Sequence, residues 1–202
     1  MAAVRARAGI AVAAAVVVLV LGLWPPPVLE RGVGDGTHRH TLLDLLVLPT
    51  EPYVLIPVIA VTAGVCALRK RGPATALTLA GTTVPVALNT WVLKPLFGHP
   101  LHDYLAYPSG HAVSLVSTLT VLVLLARQRL LAAMGAVAVA VAAGAGLVGL
   151  GYHYPNDVVG GACFAVAAVL TLSLATRRGR APSDDSPRAG TSSGNPPAAS
   201  PP

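Results

Sequence analysis

An all-α, six-span transmembrane helix bundle is the fold class that the sequence predicts, and three observations predict it. Of the 202 residues, 54% are hydrophobic and 11% charged, with a mean hydropathy of +0.68, well outside soluble globular composition. The hydrophobicity is carried by Ala, Val and Leu in long blocks, the pattern of helices that cross a hydrocarbon core. The basic residues sit in small clusters between those blocks, so topology accounts for the net charge of +6. No basic stripe with interleaved aromatics exists, and nucleic acid is not an expected partner.

Arg5 and Arg7 precede the first apolar run, Ala8 to Trp24, which Pro25-Pro26-Pro27 closes. The run is long and no small-x-small site follows it, so it reads as an uncleaved span rather than a signal peptide. A polar Gly/His-rich loop from Glu30 to His40 follows. Thr41-Leu42-Leu43-Asp44 then has the form of a capping box, opening an apolar helix that ends at Pro49 and is too short to span; it is expected at the interface. The second span runs from Tyr53 to Leu68 and stops at Arg69-Lys70-Arg71. Pro73 restarts the chain as a first-turn proline, and the third span continues to about Trp91-Val92-Leu93, before Lys94 and a polar loop from Pro95 to Pro108.

The fourth span opens at Ser109 and ends before Arg127-Gln128-Arg129. That connection is short, so the fifth span, Leu130 to about Leu150, is its expected antiparallel neighbour. The sixth runs from Asp157 to Ala175, before Arg177-Arg178-Gly179-Arg180. The expected division is therefore a six-helix transmembrane domain over 1–176 and a Pro/Ser-rich, disordered cytoplasmic tail over 177–202. Cys66 and Cys163 fall near opposite membrane faces, so no disulfide is expected between them; both read as small buried apolar residues.

Charge fixes the expected orientation. With the N-terminus inside, inner segments hold eleven basic residues and outer segments hold three, Arg31, Arg39 and Lys94, as the positive-inside rule requires. All six histidines and eight of the nine aromatics then fall on the outer side, Phe164 being the exception. The expectation is a multi-pass protein of the plasma membrane, with both termini cytoplasmic.

Three polar points share that outer face: Lys94, Ser109-Gly110-His111 and His153 to Asp157. Ionisable groups at span edges are costly unless they face a protein interior or water, which makes them site candidates. Ser109 and Gly110 open a helix, whose free N–H groups and partial positive charge suit an anion. The plainer reading of Ser109 is an ordinary N-cap. His111, in the next position, is placed to give a proton to a leaving oxygen. His153 and Asp157 are four apart at another helix start, where a carboxylate bonded to one ring nitrogen fixes the tautomer and leaves the other free as nucleophile or base. The plainer reading of Asp157 is a first-turn acid.

Pro-Ser-Gly-His at 108–111, and His153 with Asp157 followed by Gly160-Gly161, resemble the second and third signature motifs of the type 2 phosphatidic acid phosphatase superfamily. The resemblance implies a six-span bundle in which His153 attacks phosphorus, Asp157 orients it and His111 protonates the leaving group, then activates water. Lys94, Ser109 and Gly110 would hold the phosphoryl oxygens. The implied substrate is a lipid or prenyl phosphate or diphosphate taken from the bilayer, with no metal or other cofactor in the scheme.

Two positions depart from the family pattern. Counting from Lys94, the first motif's Arg-Pro falls on Leu101 and His102; counting back from His153, the third motif's Ser-Arg falls on Gly146 and Leu147. Both phosphate-clamping arginines are missing. One lost transition-state donor costs about 2.7–4 kcal/mol, so two uncompensated losses reach about 5–8 kcal/mol, or roughly four to six powers of ten in rate. His99 and His102 lie where the first arginine belongs and are candidate substitute donors; nothing replaces Leu147. The alternative reading is a catalytically impaired relative that binds an anionic lipid headgroup or serves as a membrane subunit. A metal site built from His99, His102, Asp103, His111 and His153 is a further alternative, although no pair has the spacing of a helical zinc motif.

Overall fold

A computed structural model describes residues 2–24, 41–101 and 104–178. Residues 25–40, His102, Asp103 and those from 179 onward lie outside the described residues. The fold is all-α. Helix α1 (Ala2–Leu23) is followed by a short α2 (Thr41–Val47), joined through a 3₁₀ turn at Leu48–Thr50 to α3 (Pro52–Leu68). After α4 (Gly72–Leu88) come a π turn (Asn89–Leu93), α5 (Lys94–Phe97) and a two-stranded ribbon, β1 (Pro100–Leu101) and β2 (Tyr104–Leu105). Helices α6 (Gly110–Leu125), α7 (Arg129–Gly149) and α8 (Pro155–Arg178) complete the bundle.

Five helical stretches are long and apolar enough to cross a membrane, and α6, at 16 residues, is a shorter apolar sixth. Outward-facing apolar side chains such as Leu68, Leu130 and Met134 are exposed, as lipid-facing residues must be. Several hydroxyls inside the spans bond back along their own helices: Thr78 donates to the Ala74 carbonyl, Thr82 to Thr78 and Thr118 to Ser114. Their polar atoms are thereby satisfied without a partner helix.

Helix α6 lies at the centre, packed against α3, α4, α7 and α8, while α1 lies along α8. Val113, Leu115, Val116 and Val121 of α6 are buried. Close approach between helices depends on missing side chains. A Cβ on Gly81 of α4 would stand 2.9 Å from Val121 of α6. One on Gly161 of α8 would stand 2.7 Å from the Ser109 carbonyl oxygen. The short helix α2 is held against α7 in the same way: a Cβ on Gly146 would meet Val47 at 2.8 Å and Leu46 at 3.0 Å.

Three features differ from the sequence reading. The third span does not end at Leu93. Its hydrogen bonding passes through the π turn and continues to Phe97, so Lys94 stands within a helical stretch rather than after one. A π turn widens the helix by one residue, a device frequent at functional sites, and this one follows four residues after Pro85, which has no backbone donor. Helix α8 opens at Pro155 rather than Asp157. Both cysteines are free, but Cys163 is only half-buried.

The turn between α3 and α4 closes with a lysine in an unusual place. Lys70 has a φ of 52°, its N–H donates to the Ala67 carbonyl at 2.8 Å, and that of Arg71 to the Cys66 carbonyl at 2.9 Å. This is the Schellman arrangement, which normally places Gly at the left-handed position. Lys70→Gly is expected to raise stability by about 1 kcal/mol, read as a higher unfolding temperature in detergent. A lower one would show that the lysine side chain contributes more than its backbone costs.

Candidate active site

The starts of α6 and α8 meet at one end of the bundle, and the chemistry-bearing residues gather where they meet. The Ser109 N–H donates to the Asp157 carbonyl oxygen at 3.0 Å, tying the two helix starts together. Ser109 is fully buried, with extended backbone, and its hydroxyl oxygen accepts from the Ala112 N–H at 3.3 Å. It is thus the N-cap of α6. The Tyr107–Pro108 peptide just before it is cis. Gly160 and Gly161 permit the contact, since a Cβ on Gly160 would overlap the Tyr107 ring at 2.4 Å.

Asp157 sits in the first turn of α8. Its Oδ2 accepts from the Tyr154 N–H at 2.9 Å, closing the back-bond of a capping box across Pro155 and Asn156. The same Oδ2 lies 3.7 Å from Nδ1 of His153, beyond hydrogen-bond length. Such contacts are often long before substrate binds. Both groups are buried, at 3% and 1% exposure. With Nδ1 toward Asp157, Nε2 occupies the other edge of the His153 ring. The ring centroid of His111 lies 5.7 Å from that of His153, edge to face, and the Tyr152 ring lies over His111 at 6.5 Å.

Lys94 reaches the cluster from the third span. Its ammonium donates to the Leu105 carbonyl oxygen at 2.6 Å, which uses one of its three donors and leaves two. Four buried polar atoms gather at this end with no hydrogen-bond partner among the described residues: Nδ1 of His153 and the side-chain oxygens Asn89 Oδ1, Asn156 Oδ1 and Asp157 Oδ1. Buried polar groups are rarely left unpaired unless a ligand or water completes them. No group of three His, Cys, Asp or Glu among the described residues is placed to hold a metal ion.

The structure brings His111, His153, Asp157, Ser109 and Gly110 together, with Lys94 beside them. It does not bring His99. Its ring packs against Phe97 and Tyr107, with centroids 6.5 and 5.5 Å away, on the α1 flank where the Tyr107 hydroxyl donates to the Val18 carbonyl. Burial holds the Tyr107 phenol well above its usual pKa, so it stays a donor. His102 lies outside the described residues. The two arginine positions are filled with apolar packing. Leu101 is 6% exposed in β1, and Leu147 is 1% exposed against Val47 and Leu150, with Leu43 and Val158 closing the cluster.

Two positioning residues escape a reading from sequence. Asn89 is completely buried in the π turn, and its Nδ2 donates to the Pro108 carbonyl oxygen at 3.3 Å, fixing the segment just before Ser109. An amide inside an apolar span was the available signal. Tyr104 stands edge-on to His153 with ring centroids 6.1 Å apart, and its hydroxyl donates to the Tyr152 carbonyl. Burial raises its pKa, and the nearby Asp157 carboxylate and Tyr152 phenol raise it further.

Paired imidazoles, a carboxylate, an amine and the start of a helix thus lie together at one end of a helical membrane bundle. The family model described as the PAP2 superfamily matches residues 8–180, and the chain belongs to that superfamily. Its members are in general phosphatases, so the activity class reached is phosphoric ester hydrolase. Neither the curated proteins nor the solved structures yield a match to this chain.

Proposed function

We propose that the chain is a membrane phosphatase that hydrolyses a lipid or prenyl phosphate or diphosphate through a phosphohistidine. The apposition of His153, Asp157 and His111 at the start of α6 carries this reading. His153 forms the bond to phosphorus through Nε2 while the phosphate–leaving-group oxygen bond breaks. The leaving oxygen takes its proton from His111. Water then attacks the phosphohistidine and gives a proton back to His111, releasing phosphate (or a phosphate ester) and restoring the His153 imidazole. Asp157 holds Nδ1 and stabilises the ring as it becomes cationic. The free donors of Lys94, the Ser109 hydroxyl and the first N–H groups of α6 meet the phosphoryl oxygens.

A groove of about 640 Å³ between α3 and α4, backed by α6, supports a lipid substrate. Leu55, Ile59, Val86 and Ala87 line it, and Ser114, one turn below Gly110, stands at its inner wall. An acyl or prenyl chain lying there places its phosphate at the start of α6. The charge distribution favours the outer face of the plasma membrane for this site, with both termini cytoplasmic.

Purified protein is expected to release phosphate from long-chain lipid phosphates without added metal. Ala87→Trp, which fills the groove, should raise KM for a long-chain substrate by roughly tenfold and change hydrolysis of a small soluble phosphate ester by less than about twofold. Equal effects on both substrates would remove the groove from the reading. A second reading, a non-turning-over relative that binds an anionic headgroup, is favoured by the apolar packing at Leu101 and Leu147. No phosphate release from any lipid phosphate, with headgroup binding retained, would select it.

A further inference from the structure

The end of the bundle opposite the phosphate-handling cluster carries a second cavity, of about 590 Å³, to which four parts of the chain contribute. Arg7 enters from α1, Lys70 and Arg71 from the turn between α3 and α4, and Thr176 from α8, while Leu77 and Leu125 form an apolar wall. The carboxylates of the described residues, Asp44, Glu51 and Asp157, all stand at the other end. Lys70 and Arg71 therefore have no carboxylate partner among the described residues. Lys70 also occupies the left-handed position of its turn, where Gly has the lower cost. The backbone bears that cost while the side chain lines the cavity.

We propose that this cavity is a binding site for a phosphate-ester anion, the headgroup phosphate of an anionic phospholipid in the leaflet opposite the active site. The recognition chemistry is a phosphodiester oxygen pair between Lys70, Arg71 and Arg7, with the glycerol and upper acyl carbons against Leu77 and Leu125. A free phosphate shares the anion chemistry but leaves that apolar wall uncovered, so the lipid is the better match. The site depends on the fold alone and is independent of turnover at His153.

The test uses full-length protein in neutral detergent micelles. Phosphatidylglycerol is expected to raise the unfolding temperature above that in phosphatidylcholine by roughly 2–4 °C. The Lys70→Gly/Arg71→Gln protein should lose most of that difference while folding normally, since Gly suits the turn. Arg127→Gln/Arg129→Gln removes the same charge from the α6–α7 turn, outside the cavity, and should keep the difference. Millimolar inorganic phosphate is the soluble arm: no shift assigns the site to the lipid, and a shift of equal size abolished by Lys70→Gly/Arg71→Gln keeps the anion site with a soluble source. Equal losses in the two double variants would overturn the proposal, because net charge alone would then explain the effect. So would equal unfolding temperatures in the two lipids together with no shift from phosphate.

Discussion

His153→Ala is expected to lower phosphate release by about 10⁴-fold or more. On the proposed route His153 forms the covalent bond to phosphorus, so its loss removes the first chemical step rather than tuning it. The remaining groups would still hold the phosphate, and KM should move far less than kcat. His153 is 3% exposed and packed edge-on against Tyr104 and His111. Truncation therefore also leaves a small cavity, and His153→Gln beside it keeps the volume while removing the nucleophile. Unfolding temperatures measured on both variants separate a lost step from a lost fold. His111→Ala has a different expected signature: with a substrate whose leaving group needs no proton, phosphate-labelled protein should accumulate, acid-labile and base-stable, because the water-activating group is gone. Retained turnover in a folded His153→Gln protein would end the phosphohistidine reading.

The parts of this molecule that were legible in its sequence are those where composition or a short motif dictates physics. Long apolar blocks between basic clusters specified the six helices, and Pro73 and Ser109 marked two of their starts. Ser109 and Asp157 each admit two readings from sequence, a structural cap and a site residue. The structure shows the cap bonds directly, through Ala112 N–H and Tyr154 N–H, and the bond from the Ser109 N–H to the Asp157 carbonyl oxygen brings both residues to the meeting of α6 and α8. Capping and site geometry are therefore one arrangement here. What stayed hidden depends on contacts between distant segments. The π turn shifts Lys94 into a helical stretch, and no periodicity reports a single inserted residue. Asn89 acquires meaning only when Pro108 is found beside it. His99 lies in the chain near where the family pattern has an arginine, but its ring packs against Phe97 and Tyr107. The loss at Leu147 had no account from sequence, because nothing there shows that α2 folds back onto α7.

Leu147→Arg, the substitution that restores the family residue, is expected to destabilise this protein rather than activate it. Leu147 is 1% exposed, and its neighbours are Val47, Leu150, Leu43 and Val158. Those four side chains are all apolar, so none offers a guanidinium an anion or an acceptor. Gly146 beside it has no room even for a methyl group, with Val47 2.8 Å and the Leu43 carbonyl oxygen 3.2 Å from where its Cβ would stand. The pair Gly146-Leu147 thus functions as the seat of α2, small for close approach and apolar for cohesion. An unpaired charge placed in such a cluster costs about 3–5 kcal/mol, which corresponds to a fall in unfolding temperature of roughly 10 °C. Leu147→Met, similar in volume and apolar, should cost less than about 1.5 kcal/mol. Loss of the α2–α7 contact should follow in Leu147→Arg, visible as faster amide exchange over Thr41–Val47. A stable Leu147→Arg protein with kcat/KM raised tenfold or more would mean that this side chain faces the phosphate, and that the natural leucine leaves the site short of a cation. The packing argues for the other outcome: this position holds α2, and on the proposed route phosphate contact falls to Lys94, Ser109 and the start of α6.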